Sequence, residues 1–242
     1  MPLQRPSIGL SLGGGGAAGL GHIAVLEALD DLGVRPTCIV GTSIGALIGA
    51  AYSSGMSGTQ IRAFVQDLSD SPVRTVRRLS PSFGFSGWGA WPALDPLTIV
   101  TKLLGELLPE EFEGLNIPLT VIATDYYQRK ETLFTQGPLL PAIAGSMAIP
   151  AVFRPIAFEG AIYVDGGITN NQPYDRLNDV DITLAVEVAS KDPKKSMAIP
   201  SPIDVSVGAI RTMNQTMLEA KLQIGAPDIL IRPQSRAFGP LD

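Results

Sequence analysis

The chain has very few of the residues that most often carry covalent or metal chemistry. Its 242 residues include one cysteine, Cys38, and one histidine, His22. A single cysteine excludes an internal disulfide and a cysteine-based zinc site. Because Cys38 lies in an apolar run, we expect an inert, buried thiol in a reducing compartment. We also expect no metal and no other cofactor.

Charge is scarce as well. Charged residues make up 17% of the chain and the net charge is −5, which does not suit nucleic-acid binding, since that needs clustered lysine and arginine. Residues 6–26 and 36–61 carry no charge, but glycine, serine, threonine or proline interrupts both, so we expect buried α/β core rather than membrane spans. The first residues lack the pattern of a secretory signal, and we expect a cytoplasmic protein.

Apolar runs of strand length alternate with segments of helical periodicity along the chain. The predicted strands are Ser7–Leu12, Thr37–Val40, Pro118–Thr124, Glu131–Thr135, Ala161–Val164, Ile182–Val188 and Asp228–Ile231. The predicted helices are Gly19–Leu32, Ser43–Ser54, Thr59–Asp67, Pro96–Leu108, Pro138–Gly145 and Pro202–Ile224. This alternation predicts an α/β fold, a three-layer α/β/α sandwich around a mainly parallel central sheet, formed as one domain by residues 1–242.

Four consecutive glycines, Gly13 to Gly16, separate the first predicted strand from the first predicted helix. A P-loop would need a Gly-Lys pair, which the chain lacks. Gly14, Gly16 and Gly19 satisfy the dinucleotide pattern G-x-G-x-x-G, but no carboxylate follows the second strand to bind a ribose. The third possibility is an oxyanion hole formed by the backbone N–H groups of Gly14, Gly15 and Gly16.

The segment Gly41-Thr-Ser-Ile-Gly45 stands between an apolar strand and a helix of small residues. In this G-x-S-x-G arrangement a serine occupies a sharp strand-to-helix turn, and the flanking glycines relieve crowding. The hydroxyl of Ser43 would lie at the carboxyl end of the sheet, next to a helix N-terminus that favours negative charge. The motif predicts a nucleophile; the alternative is that Ser43 only caps the helix.

A serine nucleophile needs a base. His22 follows the glycine loop and lies inside the first predicted helix next to apolar residues, so we expect it to be structural. Asp165 ends a predicted strand, and Gly166 and Gly167 leave space behind it, so its carboxylate could face the same sheet edge as Ser43. The alternative is that Asp165-Gly166 is an ordinary turn.

Together these motifs resemble the patatin-like phospholipases, and specifically the small bacterial members of that family. The resemblance covers nearly the whole chain and rests on the stretches Gly13–Leu26, Gly41–Gly45, Ser146–Phe153 and Asp165–Pro173. It implies a lipid acyl hydrolase with a Ser43–Asp165 dyad and an oxyanion hole at Gly14, Gly15 and Gly16. The residues that would support these motifs are Gly41, Gly45, Gly166 and Gly167.

One position departs from the family's glycine motif. The motif usually has a basic residue before its last glycine, and here that position is Ala18. The loss of this cation leaves open a catalytically degenerate regulatory module. A nucleotide-binding module that uses the glycine loop to hold phosphate is a separate alternative, although the missing Gly-Lys pair and ribose-binding carboxylate speak against it.

An aromatic segment has neither a strand pattern nor a helix pattern. It contains Phe83, Phe85, Trp88 and Trp91 among glycine, serine and proline. Amphipathic aromatic residues favour interfaces, so the segment could form a lid or a peripheral membrane contact. Alternatively, the loop buries its aromatic side chains against the domain.

Overall fold

The computed structural model describes residues 6–70, 94–188 and 199–233. Its strands are β1 (Ile8–Leu12), β2 (Cys38–Thr42), β3 (Leu119–Asp125), β4 (Lys130–Phe134), β5 (Ile156–Phe158), β6 (Ala161–Asp165), β7 (Ile182–Val186) and β8 (Ile229–Ile231). Its α-helices are α1 (Gly21–Asp31), α2 (Ile44–Ser53), α3 (Gly58–Asp70), α4 (Pro96–Leu104), α5 (Leu139–Ser146), α6 (Gly167–Asn170) and α7 (Pro202–Ile224).

These strands join in one mixed sheet. Strands β8, β7, β1, β2 and β3 lie side by side in that order and run parallel to one another. Strands β4 and β6 run antiparallel to β3, and β5 runs antiparallel to β6. The mainly parallel sheet, covered by helices on both faces, confirms the predicted α/β fold class.

Strand β3 has three partners, and their registers show where each one lies. Strand β4 pairs with residues 121–125, along one edge. Strand β2 pairs with residues 119–122 and β6 with residues 123–125, so both occupy the other edge, because a strand residue has one neighbour on each side. Their carboxyl ends therefore meet head to head, with Thr42 opposite Ile122 and Asp165 opposite Ala123.

Alternate residues of the central strands face opposite sides of the sheet. On one face, Ile39 and Val121 belong to the main apolar core, together with residues of α1, α2 and α5. On the other face, Val40 and Ile122 pack with Leu218 of α7. The central strands are buried on both sides, which explains why they read as short, continuous apolar runs.

The longest helix, α7, has the bounds that the sequence predicts. Ser201 caps it, with its hydroxyl accepting from the Asp204 N–H at 3.2 Å and Pro202 in the first turn. The first predicted helix is divided, because a 3-10 turn over Gly16–Leu20 precedes α1. The prediction missed β5 and α6, which have three and four residues and are too short for a periodic pattern.

The aromatic segment with Phe83, Phe85, Trp88 and Trp91 lies outside the described residues, so its lid or lipid contact stays a prediction. Among the helices that the structure describes, none combines the length and the apolar character that crossing a membrane requires.

Candidate active site

Ser43 lies at the turn between β2 and α2 in a strained backbone conformation. Its φ is 54° and its ψ is −123°, and a residue with a side chain rarely adopts a positive φ. The flanking glycines let α2 begin very close to the sheet: a Cβ on Gly45 would lie 2.1 Å from the Leu12 carbonyl oxygen, and a Cβ on Gly41 would lie 2.7 Å from the Ala46 nitrogen. This is the sharp turn expected of the G-x-S-x-G motif.

Asp165 ends β6 and faces Ser43 where the two strand ends meet. Ser43 Oγ donates a hydrogen bond to Asp165 Oδ2 at 2.7 Å, across a sequence separation of 122 residues. Both side chains are buried. The structure therefore brings the two residues of the predicted dyad together, and the opposed ends of β2 and β6 along β3 are the cause.

The surroundings of Asp165 raise the affinity of its carboxylate for a proton. Burial raises the pKa of Asp165 from 3.8 to about 6, although the hydrogen bonds from Ser43 and from the Gly167 N–H lower it. The Gly167 N–H donates to Asp165 Oδ1 at 2.7 Å. Among the described residues, no lysine or arginine forms an ion pair with Asp165. A buried carboxylate without a cation accepts a proton more readily, as a general base must.

Ser146, at the end of α5, holds the backbone of the turn at Ser43. The Ser43 N–H donates to Ser146 Oγ at 2.8 Å, and Ser146 Oγ donates to the Ile122 carbonyl oxygen. The Gly166 N–H donates to the Ser146 carbonyl oxygen at 3.2 Å. Sequence reasoning did not single out this residue, although it begins the stretch Ser146–Phe153 that carries part of the family resemblance.

The glycine loop lies beside Ser43, but one of its predicted donors is already engaged. A Cβ on Gly14 would lie 3.3 Å from the Ser43 Cβ. The Gly14 N–H, however, donates to the Asn171 carbonyl oxygen at 3.0 Å, so it is already engaged in this structure.

The other two predicted donors, the N–H groups of Gly15 and Gly16, are not engaged by the described part of the chain. Within the part of the chain that the structure describes, the N–H groups of Gly15 and Gly16 have no acceptor, and both residues are half-buried. Gly16 has a φ of 56°, in the left-handed region that favours glycine. The loop therefore leaves two adjacent backbone donors uncommitted, directly after Gly14, which lies next to Ser43.

His22 is fully buried beneath the glycine loop, as the sequence predicted for a structural residue. Its Nε2 lies 2.8 Å from the Gly13 carbonyl oxygen, and because a carbonyl only accepts, Nε2 carries the proton. Burial lowers the pKa of His22 to about 4, although the hydrogen bond to Gly13 raises it. The ring is therefore neutral near pH 7, and it supports the loop backbone.

Three consecutive residues, Asn170 to Gln172, contact both halves of the site and are called the clamp segment below. In the sequence they belong to the stretch Asp165–Pro173 that carries part of the family resemblance, but no role was predicted for them. The available signal was their position shortly after the strand that ends at Asp165; Asn170 is the last residue of α6. In the described part of the chain, no group of three or more histidine, cysteine, aspartate or glutamate side chains is arranged to hold a metal ion.

A strained serine between a parallel strand and a helix is typical of serine hydrolases on α/β sheets. Comparison with known sequences identifies the family. Residues 10–177 match the family model described as "Patatin-like phospholipase", and the chain therefore belongs to the patatin-like phospholipase family.

Several curated relatives share this region. An uncharacterized NTE family protein of Mycobacterium tuberculosis is 36% identical over 188 residues, which cover 76% of this chain and 50% of that protein. Patatin-like phospholipase domain-containing protein 7 of Rattus norvegicus is 31% identical over 200 residues, which cover 78% of this chain and 14% of that protein. The chain thus spans half the length of the first relative and a much smaller part of the second.

A solved structure also aligns with the chain. The structure of VipD from Legionella pneumophila aligns with a TM-score of 0.47 at 16% sequence identity, covering 90% of this chain and 55% of that one.

Proposed function

We propose that this chain is a serine-dependent hydrolase of lipid acyl esters. The observation that carries the proposal is the 2.7 Å hydrogen bond from Ser43 Oγ to Asp165 Oδ2 at a strained strand-to-helix turn. Family membership supports a lipid ester as substrate, as do the names of relatives, among them Neuropathy target esterase sws of Drosophila melanogaster. A cytoplasmic location and a peripheral membrane contact are also parts of the proposal.

In the first step, Asp165 accepts the proton of Ser43 Oγ while Oγ forms a bond to the ester carbonyl carbon. The π electrons of the carbonyl move to its oxygen, which becomes an oxyanion. The uncommitted N–H groups of Gly15 and Gly16 would donate to this oxygen, and losing one such donor typically costs about 3 kcal/mol of transition-state stabilisation. Because Ala18 supplies no cation, neutral backbone amides carry this role.

In the second step, the carbon–oxygen bond to the alcohol breaks, and the alcohol leaves with the proton that Asp165 held. The acyl group stays on Ser43. Asp165 then accepts a proton from water as the water oxygen attacks the acyl carbon, and it returns that proton to Ser43 Oγ as the fatty acid leaves. The pKa of about 6 for Asp165 keeps the carboxylate ionised near neutral pH and makes it a stronger base than a solvated aspartate.

The test is a panel of nitrophenyl esters, lysophospholipids and phospholipids, together with a fluorophosphonate probe, on the wild type and Ser43→Ala. Ser54→Ala is a matched control, because Ser54 lies at the other end of α2 and its hydroxyl donates to the Ala51 carbonyl oxygen. We expect hydrolysis and labelling in the wild type and in Ser54→Ala, and neither in Ser43→Ala.

Labelling that persists unchanged in Ser43→Ala would overturn the proposal. Thermal stabilisation by NAD(P) or ATP, without hydrolysis of any ester, would instead favour the nucleotide-binding interpretation of the glycine loop. A folded wild type that neither hydrolyses esters nor binds nucleotides would favour the degenerate regulatory module.

A further inference from the structure

The clamp segment joins the two halves of the candidate active site. The Asn171 backbone carbonyl accepts from the Gly14 N–H at 3.0 Å, and Asn171 Nδ2 donates to the Gly14 carbonyl oxygen at 3.2 Å. The Asn170 carbonyl accepts from Thr42 Oγ1 at 2.8 Å, directly before the nucleophile. The position of the glycine loop relative to Ser43 therefore depends on where the clamp segment lies.

The clamp segment is tied to α7 by a single ammonium group. Lys221 Nζ donates to Asn170 Oδ1 at 2.8 Å and to the Gln172 carbonyl oxygen at 2.7 Å, and it forms an ion pair with Asp175. A lysine ammonium has three protons, so these partners use all of its donors. The same nitrogen lies 4.8 Å from the centre of the Tyr174 ring.

Lys221 is held in a largely enclosed position, with its side chain 24% exposed. Burial lowers the pKa of Lys221, while the hydrogen bond and the charge of Asp175 raise it. A partly buried cation with every donor occupied holds its partners in fixed positions, and leaving them unpaired is costly. Lys221 also lies outside residues 10–177, the part that matches the family model.

We propose that Lys221 is a positioning residue for the acyl-transfer site. By fixing Asn170 and Gln172 it holds Asn171 against Gly14, and so keeps the N–H groups of Gly15 and Gly16 where the oxyanion forms. A displacement of about 1 Å in such a constellation can lower the rate by about a hundredfold. This inference rests on the proposed function for its catalytic readout, but its structural readout is independent of it.

The test compares Lys221→Met with Arg62→Met. Arg62 forms a two-pronged ion pair with Glu27 that links α3 to α1. The control thus removes an ion pair that involves no residue of the clamp segment. We expect Lys221→Met to lower kcat on a soluble ester by about tenfold or more, with KM little changed. Lys221→Arg, which keeps a cation, should lie between Lys221→Met and the wild type, and Arg62→Met should match the wild type.

Amide hydrogen exchange gives the structural readout. Because the Gly14 N–H is bonded to the clamp segment, its exchange should become faster in Lys221→Met and stay unchanged in Arg62→Met. A folded Lys221→Met with wild-type kcat and wild-type Gly14 exchange would overturn the inference, as would equal losses in both variants. If Lys221→Met does not fold, Lys221→Gln takes its place under the same criteria. If the wild type hydrolyses no ester, the proposed function fails while Gly14 exchange still decides the inference.

Discussion

Asp165 and Asp175 lie on the same stretch of chain, and their surroundings shift their carboxyl pKa values in opposite directions. Asp165 is buried with a hydroxyl and a backbone N–H as partners, and burial raises its pKa to about 6. Burial also raises the pKa of Asp175, but hydrogen bonds from Lys221 and Asn170 and the charges of Lys221 and Arg176 outweigh it, so the net pKa is lowered.

The difference shows what decides the pKa of a carboxylate that loses part or all of its contact with water. Both groups lose water, but only Asp175 gains a cation, which stabilises its ionised form. Asp165 therefore accepts a proton readily and suits general base chemistry, whereas Asp175 holds its charge and anchors Lys221. The chain thus places the proposed base, Asp165, and an ion-paired carboxylate, Asp175, on either side of the clamp segment.

The largest expected effect comes from removing the carboxylate of Asp165, the proposed base. Asp165→Asn should lower kcat by about 10²- to 10⁴-fold, because a neutral amide cannot accept the Ser43 proton. The measurement is steady-state hydrolysis of a soluble ester, with circular dichroism to verify the fold. Asp175→Asn is the control, and a similar loss in both variants would contradict the distinction between the two groups.

The two substitutions should change the stability at about pH 8 in opposite directions. The pKa of Asp165 in the folded protein, about 6, lies above its ordinary value of 3.8. At a pH above 6 the ionised carboxylate therefore lowers the free energy of unfolding by on the order of 3 kcal/mol. At a pH below 3.8 the carboxyl group is protonated in both states, and this penalty disappears. Asp165→Asn should therefore raise the free energy of unfolding at high pH and change it little at low pH.

Asp175 has a lowered folded pKa, so its ionised form contributes stability above its ordinary pKa, and this is lost as the pH falls through the folded pKa. Because the side chain is 34% exposed, solvent screening limits the effect, and Asp175→Asn should cost about 1 kcal/mol. Urea unfolding of both variants at high and low pH measures these changes in the free energy of unfolding. If both variants change it in the same direction at high pH, the cation beside Asp175 is not what distinguishes the two carboxylates.

The pH dependence of the reaction should follow Asp165 alone. Below its pKa of about 6 the base is protonated, so kcat should fall by about tenfold for each further pH unit. A pH–rate profile on a soluble ester measures this, and Asp175→Asn should leave the midpoint in place. A midpoint near the ordinary aspartate value would show that burial does not raise the pKa of the base.

The smallest expected effect comes from Arg176, the second cation beside Asp175 after Lys221. Arg176 is 39% exposed and also pairs with Glu131, so Arg176→Gln should change the free energy of unfolding by less than about 1 kcal/mol and leave kcat unchanged. Thermal unfolding and ester hydrolysis measure both values. If Arg176→Gln lowers kcat as much as Lys221→Met does, the positioning role belongs to the linked ion pairs of Lys221, Asp175 and Arg176 rather than to Lys221 alone.

Much of the fold follows from local patterns. The short apolar runs of β1, β2 and β3 and the capped helix α7 could be predicted because period, caps and glycine stops depend on neighbouring residues. Strand β5 and helix α6 could not, because three or four residues carry no periodicity. The direction of β6 was equally out of reach, since antiparallel pairing with β3 is a contact between distant segments.

The sequence by itself determined the tight strand-to-helix turn at Ser43, because glycines at positions 41 and 45 and a serine at position 43 are what such a turn requires. It also indicated Asp165 as a candidate base and favoured a structural role for His22. Only the tertiary structure decided that the ends of β2 and β6 meet along one edge of β3. It also decided that the Gly14 N–H donates to the Asn171 carbonyl oxygen and that Lys221 binds the clamp segment. The physical reason is that hydrogen bonds and desolvation depend on neighbours in space, and residues far apart in sequence become such neighbours only when the sheet assembles.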